Sequence, residues 1–307
     1  MAKHALYGKR KNDLIFYIVM LAYPVLQFAI FYIGVNFNSI LMAFQVFNDA
    51  TQEFEFLQGA SLFKNFKDVF HSLSTETVFP FAFRNAFIAY FVALVFSTSL
   101  GIIFSYYIFK KYPLHGMMKV VLFTPSVISG IVLVSIFVEF VEVVVPNVIY
   151  SVSGKEILGL LSNPDSRFTT ILFYCVWMGF GGSILLYVGA MNNISESIIE
   201  ACKLDGANTF QEIVYIVLPL IYPTFVTFMV VGVGGILTNQ MGLYSFYGPR
   251  AKENIQTFGY YLFKATKEAT YTKYPFLATM GILMTLVVAP VTFLVKWALE
   301  KVGPKQE

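Results

Sequence analysis

The sequence predicts an all-α polytopic membrane protein with six transmembrane helices, and three observations predict it. Of 307 residues, 57% are hydrophobic and only 13% are charged, against about 25% charged in an ordinary soluble protein. Six stretches free of Asp, Glu, Lys and Arg reach 19 residues or more: 14–48, 85–109, 120–138, 168–195, 213–249 and 274–295. Each can hold the roughly 20 apolar residues with which an α-helix crosses about 30 Å of hydrocarbon. Finally, one polar segment with helical punctuation, residues 195–215, falls between the fourth and fifth stretches.

In chain order, residues 1–13 carry Lys3, Lys9, Arg10 and Lys11; a basic flank at the first helix holds that end in the cytoplasm. No small-residue cleavage site follows, so the run is read as an uncleaved span. Residues 14–47 form the first helix, about 14–36, and its outer extension, with Pro24 expected to kink it. Residues 48–84 turn polar and are expected to form an extracytoplasmic loop too small for a core of its own. The second helix, 85–109, ends at Lys110-Lys111, and with Lys119 three lysines crowd ten residues on the cytoplasmic side.

The third helix, 120–145, has Pro125 near its start, and Glu139 and Glu142 three residues apart on one face near its outer end. Residues 146–167, with Pro146, Gly154, Asn163 and Pro164, are expected as an outer loop. The fourth, fifth and sixth helices are placed at 168–190, 216–237 and 275–297, followed by a cytoplasmic tail, 300–307. Lys and Arg divide almost evenly, eleven inside and ten outside, so the orientation rests on their density in the first two inner segments. The discordant basic group is Arg250, Lys252, Lys264, Lys267 and Lys273. Ile255, Phe258, Leu262 and Phe263 recur there at helical spacing, which predicts an amphipathic helix lying on the outer surface.

In 195–215, Ser197 with Glu200 and Thr209 with Glu212 have capping-box spacing. Gly206 between them can take the left-handed conformation that ends a helix. Two short helices joined at Asp205-Gly206-Ala207 follow, and on these residues alone they are a surface hairpin.

Several functions are excluded or unsupported. The chain has no GxxxxGK[ST] loop, no GxSxG and no HExxH, so ATP energy would have to come from another subunit. No catalytic residue and no metal-ligand set is assigned, and the reading is of a transport protein, not an enzyme. Cys175 and Cys202 make no disulfide framework or zinc site. A net charge of +3 with basic residues at span ends fits lipid headgroups and does not call for nucleic acid. Glu139 and Glu142 are the nearest candidates for a substrate path, with exposure to water at the interface as the simpler account. The Gly179, Gly181, Gly182 and Gly232, Gly234, Gly235 clusters suit close helix contact. The abundant aromatic residues suit sugar stacking or a lipid-facing surface equally.

Glu200-Ala201, then Asp205-Gly206-Ala207, then Ile216-Val217-Leu218-Pro219 resemble the EAA loop of permease subunits of binding-protein-dependent ABC importers, at the place that family has it. Cys202 departs from the family's usual alanine. Asn65 to Phe70 (NFKDVF) and Arg84-Asn85-Ala86 are similar to its carbohydrate-uptake branch, with maltose-type and glycerol-phosphate-type permeases. The resemblance implies that 195–215 is the coupling helix docking on a cytoplasmic ATPase. Glu200, Ala201, Asp205, Gly206, Ala207, Ile216 and Pro219 would be the coupling residues, and Ile198, Ile199, Leu204 and Phe210 the apolar contacts. It also implies a second homologous permease, two ATPase subunits carrying ATP and Mg, an extracytoplasmic solute-binding protein, and surrounding membrane lipids. The cargo expected is a sugar or oligosaccharide. Another solute class stays open, as does an ion-gradient-driven transporter, for which neither an intramembrane charge relay nor an inverted repeat is found.

Overall fold

The computed structural model describes residues 2–304. The side chains of 2–13 and 15 are outside the description, so the basic flank at the N-terminus and the end of the tail, 305–307, fall outside it. Among the described residues, five helices are long and apolar enough to cross a membrane: Phe16–Met42, Val78–Phe109, Gly130–Ser153, Arg167–Met191 and Tyr271–Val302. A bent pair, Thr209–Leu220 and Tyr222–Gly235, with 74° between its halves at Ile221, brings the number to six when it is counted as one span, the fifth in chain order. The protein is an all-α polytopic membrane protein, with one small β-hairpin among the described residues. It divides into two compact units, Met1–Thr75 with Glu268–Leu283, and Glu76–Lys267 with Met284–Glu307.

In the first unit the helix continues through Pro24 and passes into a π-helical stretch, Phe28–Gly34, before Val35–Met42. Its large apolar side chains at Leu14 and from Phe16 to Phe37 are more than half exposed, as a helix facing hydrocarbon should be. The polar segment that follows is more ordered than its composition suggests. Gln45–Asn48 and Glu53–Phe56 pair antiparallel, and Lys64–Thr75 is an amphipathic helix. The buried Asn65 carboxamide donates to the carbonyls of Ala43 (2.9 Å) and Gln45 (2.8 Å), fixing that helix to the exit of the first span.

The second unit corrects several expected boundaries. The second span begins at Val78, not 85. The apolar run Val78 to Phe83 propagates the helix, and the single charge that interrupted the pattern, Arg84, lays its guanidinium 5.2 Å from the Phe81 ring centroid. The third span is not one helix over 120–145. His115–Val127 ends at an extended Ile128-Ser129 step, and Gly130–Ser153 follows. Pro125 lacks an N–H, and the hydroxyls of Thr124 and Ser126 donate back to the carbonyls of Val120 and Phe123, which weakens the ladder just before the break. The outer loop shortens accordingly. Pro146 sits in the first turn of a helical segment, where proline is tolerated, and the helix stops only at Gly154, with φ +67°.

The stretch expected as an amphipathic helix on the outer surface is packed into protein instead. Ile255, Phe258 and Tyr260 are at most 2% exposed; Ile255 and Tyr260 join a core with Phe137, Ile171 and Tyr174, and Phe258 packs on Phe79 and Phe83. Apolar spacing marks which face is covered but cannot say whether lipid or protein covers it. The close seating is visible at Gly259, where a side-chain carbon would lie 2.4 Å from the Thr238 carbonyl. Gly181 shows the close contact expected of its cluster, 2.5 Å from a would-be Cβ to the Leu122 oxygen, whereas Gly182 beside it faces open space.

Candidate functional site

The polar hairpin is built from three local devices. Ser195, extended at φ −60° and ψ 134°, precedes the helix Glu196–Leu204. That helix closes with a Schellman turn. The Ala207 N–H donates to the Cys202 carbonyl (3.2 Å), the Gly206 N–H to that of Lys203 (3.1 Å), and Gly206 sits at φ +75°, a conformation open to glycine at little cost. The next helix starts at a reciprocal capping box, in which Asn208 Oδ1 accepts from the Gln211 N–H and Gln211 Oε1 accepts from the Asn208 N–H, both at 2.9 Å.

Neither expected capping box forms. Ser197 is already in the first turn, and its hydroxyl meets that of Ser195 at 2.7 Å. On the other side the cap falls one residue earlier than Thr209, because asparagine caps at least as well as threonine. Glu212, freed from capping, turns inward.

The turn leaves Leu204 89% and Phe210 71% exposed, with Ile198 at 40% and Tyr215 at 69%. Glu200 and Asp205 are also exposed. A groove of about 550 Å³ runs beside them, lined by Ile198, Ala201, Asp205, Ala207, Tyr215 and Ile216 among others. Ile199 and Cys202 are buried, which removes Ile199 from the expected contact surface, while Cys202 still reaches the groove wall. Cys202 fits a position that asks for a small residue. After the hairpin come a π-helical run, Glu212–Val217, and the short helix Leu218–Leu220, whose first turn holds Pro219. Pro219 and Pro223 bracket the bend at Ile221, where the chain turns into the fifth span.

Behind this surface, Glu212 Oε1 lies 2.7 Å from Lys110 Nζ, and the two side chains are 6% and 11% exposed. The pair abuts a cluster of Ile102, Tyr106, Tyr187, Met191, Val217 and Ile221. Sequence reasoning used Lys110 only as a marker of orientation and missed this partner, because the two lie 102 positions apart.

Within the second unit the spans line a half-open cavity of about 360 Å³ that sequence reasoning also missed. Its lining includes Tyr90, Ser97, Ser183, Tyr187, Phe228 and Asn239, and no lining residue is charged. Hydroxyls, an amide and ring faces therefore set its chemistry. Glu142, expected at a substrate path, has another use: its carboxylate accepts from the N–H groups of Leu161 (2.6 Å) and Ser162 (3.0 Å) and from the Ser162 hydroxyl (2.5 Å), holding the turn after the third span. Glu139 is exposed. The structure does not bring the two together at the cavity.

Residues 93–307 match the family model described as binding-protein-dependent transport system inner membrane component. The chain belongs to this family. As such a permease it is a transport subunit of an inner-membrane system, and it resembles sugar permeases. It is 26% identical over 162 residues to a probable ABC transporter permease protein, MG188, of Mycoplasma genitalium, covering 51% of this chain and 49% of that one. It is 24% identical over 229 residues to the lactose transport system permease protein LacF of Rhizobium radiobacter, covering 72% and 76%. For the first of these curated relatives, then, the permease spans about half the length. Its fold matches a crystal structure of a bacterial ABC transporter that imports the acidic polysaccharide alginate, with a TM-score of 0.77, 21% identity and coverage of 97% and 99%. It also matches a structure of bacterial alginate ABC transporter in complex with an alginate pentasaccharide-bound periplasmic protein, at a TM-score of 0.74, 20% identity and coverage of 94% and 95%.

Proposed function

We propose that this permease imports an uncharged sugar or oligosaccharide by alternating access, driven by ATP hydrolysis on separate subunits through the hairpin 195–215. The observation that carries this reading is the hairpin itself, which is stiffened at both helix junctions and leaves most of Leu204 and Phe210 in solvent. Large apolar side chains held out on a rigid polar turn have no use within the chain and suit a protein groove. Glu200 and Asp205 flank them and would pair with basic groups of an ATPase. Ala201 and Ala207 keep the groove open, Gly206 makes the turn, and Ile216 and Pro219 lead the displacement toward the bend.

In this reading two ATPase subunits bind ATP and Mg, a second homologous permease completes the path, and an extracytoplasmic solute-binding protein delivers the cargo. Membrane lipids surround the spans, and nucleic acid has no part. Both termini and the hairpin lie in the cytoplasm, and residues 48–84 outside it. The named relatives favour a saccharide. The cavity favours an uncharged one, since a site for an acidic polymer would carry cationic side chains, and none lines it.

The test is the double variant Glu200→Arg with Gly206→Pro. Proline cannot adopt the φ of +75° found at Gly206, so the turn is lost. The variant is expected to reach the membrane but to lose uptake and co-purification with an ATPase. Retention of both would reject the coupling role.

A further inference from the structure

The Lys110–Glu212 pair lies away from the docking surface, and neither residue lines the groove or the cavity. Lys110 is the residue that ends the second span, its N–H donating to the Tyr106 carbonyl (2.9 Å). Glu212 opens the π-helical run between the hairpin and the bend. Nζ and Oε1 meet at 2.7 Å with both side chains nearly excluded from solvent, and Nζ lies 5.6 Å from the Tyr106 ring centroid.

Buried ion pairs add little stability over an apolar contact of the same size, but they are directional, and their loss leaves an uncompensated charge. A pair of this kind is suited to fixing geometry. The apolar cluster beside it draws on the second span (Ile102, Tyr106), the fourth (Tyr187, Met191) and the approach to the fifth (Val217, Ile221). Tyr187 in that cluster also lines the cavity.

We propose that Lys110 and Glu212 are positioning residues for energy coupling: a strut that ties the base of the hairpin to the inner end of the second span, so that a push on the hairpin reaches the cavity. This rests on reading the hairpin as the point where an ATPase docks. Without the strut, the hairpin would still bind its partner, but it would swing at Gly206 and Ile221 and leave the spans unmoved.

The test uses the whole transporter, purified through a tag on this chain and placed in lipid nanodiscs. Cys175→Ser and Cys202→Ala remove the two cysteines of this chain, and Ser183→Cys, on the cavity wall, reports through the rate at which a maleimide labels this chain, read on its own gel band. With Lys110 and Glu212 intact, ATP is expected to change that rate. Glu212→Gln and Lys110→Met are each expected to shrink the change roughly tenfold, the scale of coupling between contacting buried groups, while the ATPase stays bound and hydrolyses ATP. The swap Lys110→Glu with Glu212→Lys restores the pair in reverse and is expected to recover most of the change. The proposal is overturned if the single variants keep the full ATP-dependent change, or if the swap behaves no better than they do. If no ATPase co-purifies even with the pair intact, the docking reading fails, and the strut with it.

Discussion

The Asn85 carboxamide, fully buried near the start of the second span, donates to the Gln256 carbonyl at 2.9 Å and to that of Asn254 at the same distance. One side chain thereby satisfies two backbone acceptors in a loop 169 and 171 positions away. Thr77 donates to the Glu253 carboxylate (2.9 Å) in the same region. The first prediction follows: Asn85→Ala strips the donor from two carbonyls in a protein interior and costs about 1–3 kcal/mol. Thermal unfolding in detergent should show a fall in Tm of a few degrees, and Thr77→Ala, at an exposed bond, a smaller one.

Gly259 supports the same packing from the other side. A methyl group there would meet the Thr238 carbonyl at 2.4 Å, so Gly259→Ala must move backbone, at a cost of about 1–3 kcal/mol. Gly189, inside the fourth span with nothing within 4 Å, is the control. Gly189→Ala should be neutral or stabilising by up to about 1 kcal/mol. Parallel melting curves would check the pair.

The cavity offers a test of transport separate from stability. Gly182 lines it and has open space where a Cβ would stand, so Gly182→Leu should fold and fill the cavity. Uptake is expected to fall while association with the ATPase is unchanged. Gly181→Ala, whose Cβ would lie 2.5 Å from the Leu122 oxygen, should instead lower the yield of folded protein.

On the hairpin, Leu204→Ala and Phe210→Ala remove side chains that are 89% and 71% exposed. The chain's own melting temperature should not change. Affinity for the ATPase, measured by titrating it onto nanodisc-bound permease, should fall by about 1–2 kcal/mol for each.

The spans were legible because membrane composition is a strong signal, and the fourth, at Arg167–Met191, lies within one residue of its expected bounds. Charge-free windows fail where one charge sits inside a helix, as Arg84 does, or where an apolar run is broken locally, as at Ile128-Ser129. The left-handed Gly206 could be read from the sequence because its reason is local. The Lys110–Glu212 pair, the cavity and the burial of Ile255, Phe258 and Tyr260 could not, since each depends on which distant segments meet. Asn65 and Asn85 were noticed only through resemblance, and their hydrogen bonds now give both a structural reason.

The most direct measurement of the central claim is site-specific cross-linking at the hairpin tip. Leu204→Cys, in the chain with Cys175 and Cys202 replaced, would be treated with a short bifunctional reagent in native membranes and the products identified by mass spectrometry. A cross-link to an ATPase subunit, whose yield changes when ATP is added, is the predicted result. A tip cysteine freely labelled by soluble maleimide under all conditions, with no ATPase captured, would contradict the account.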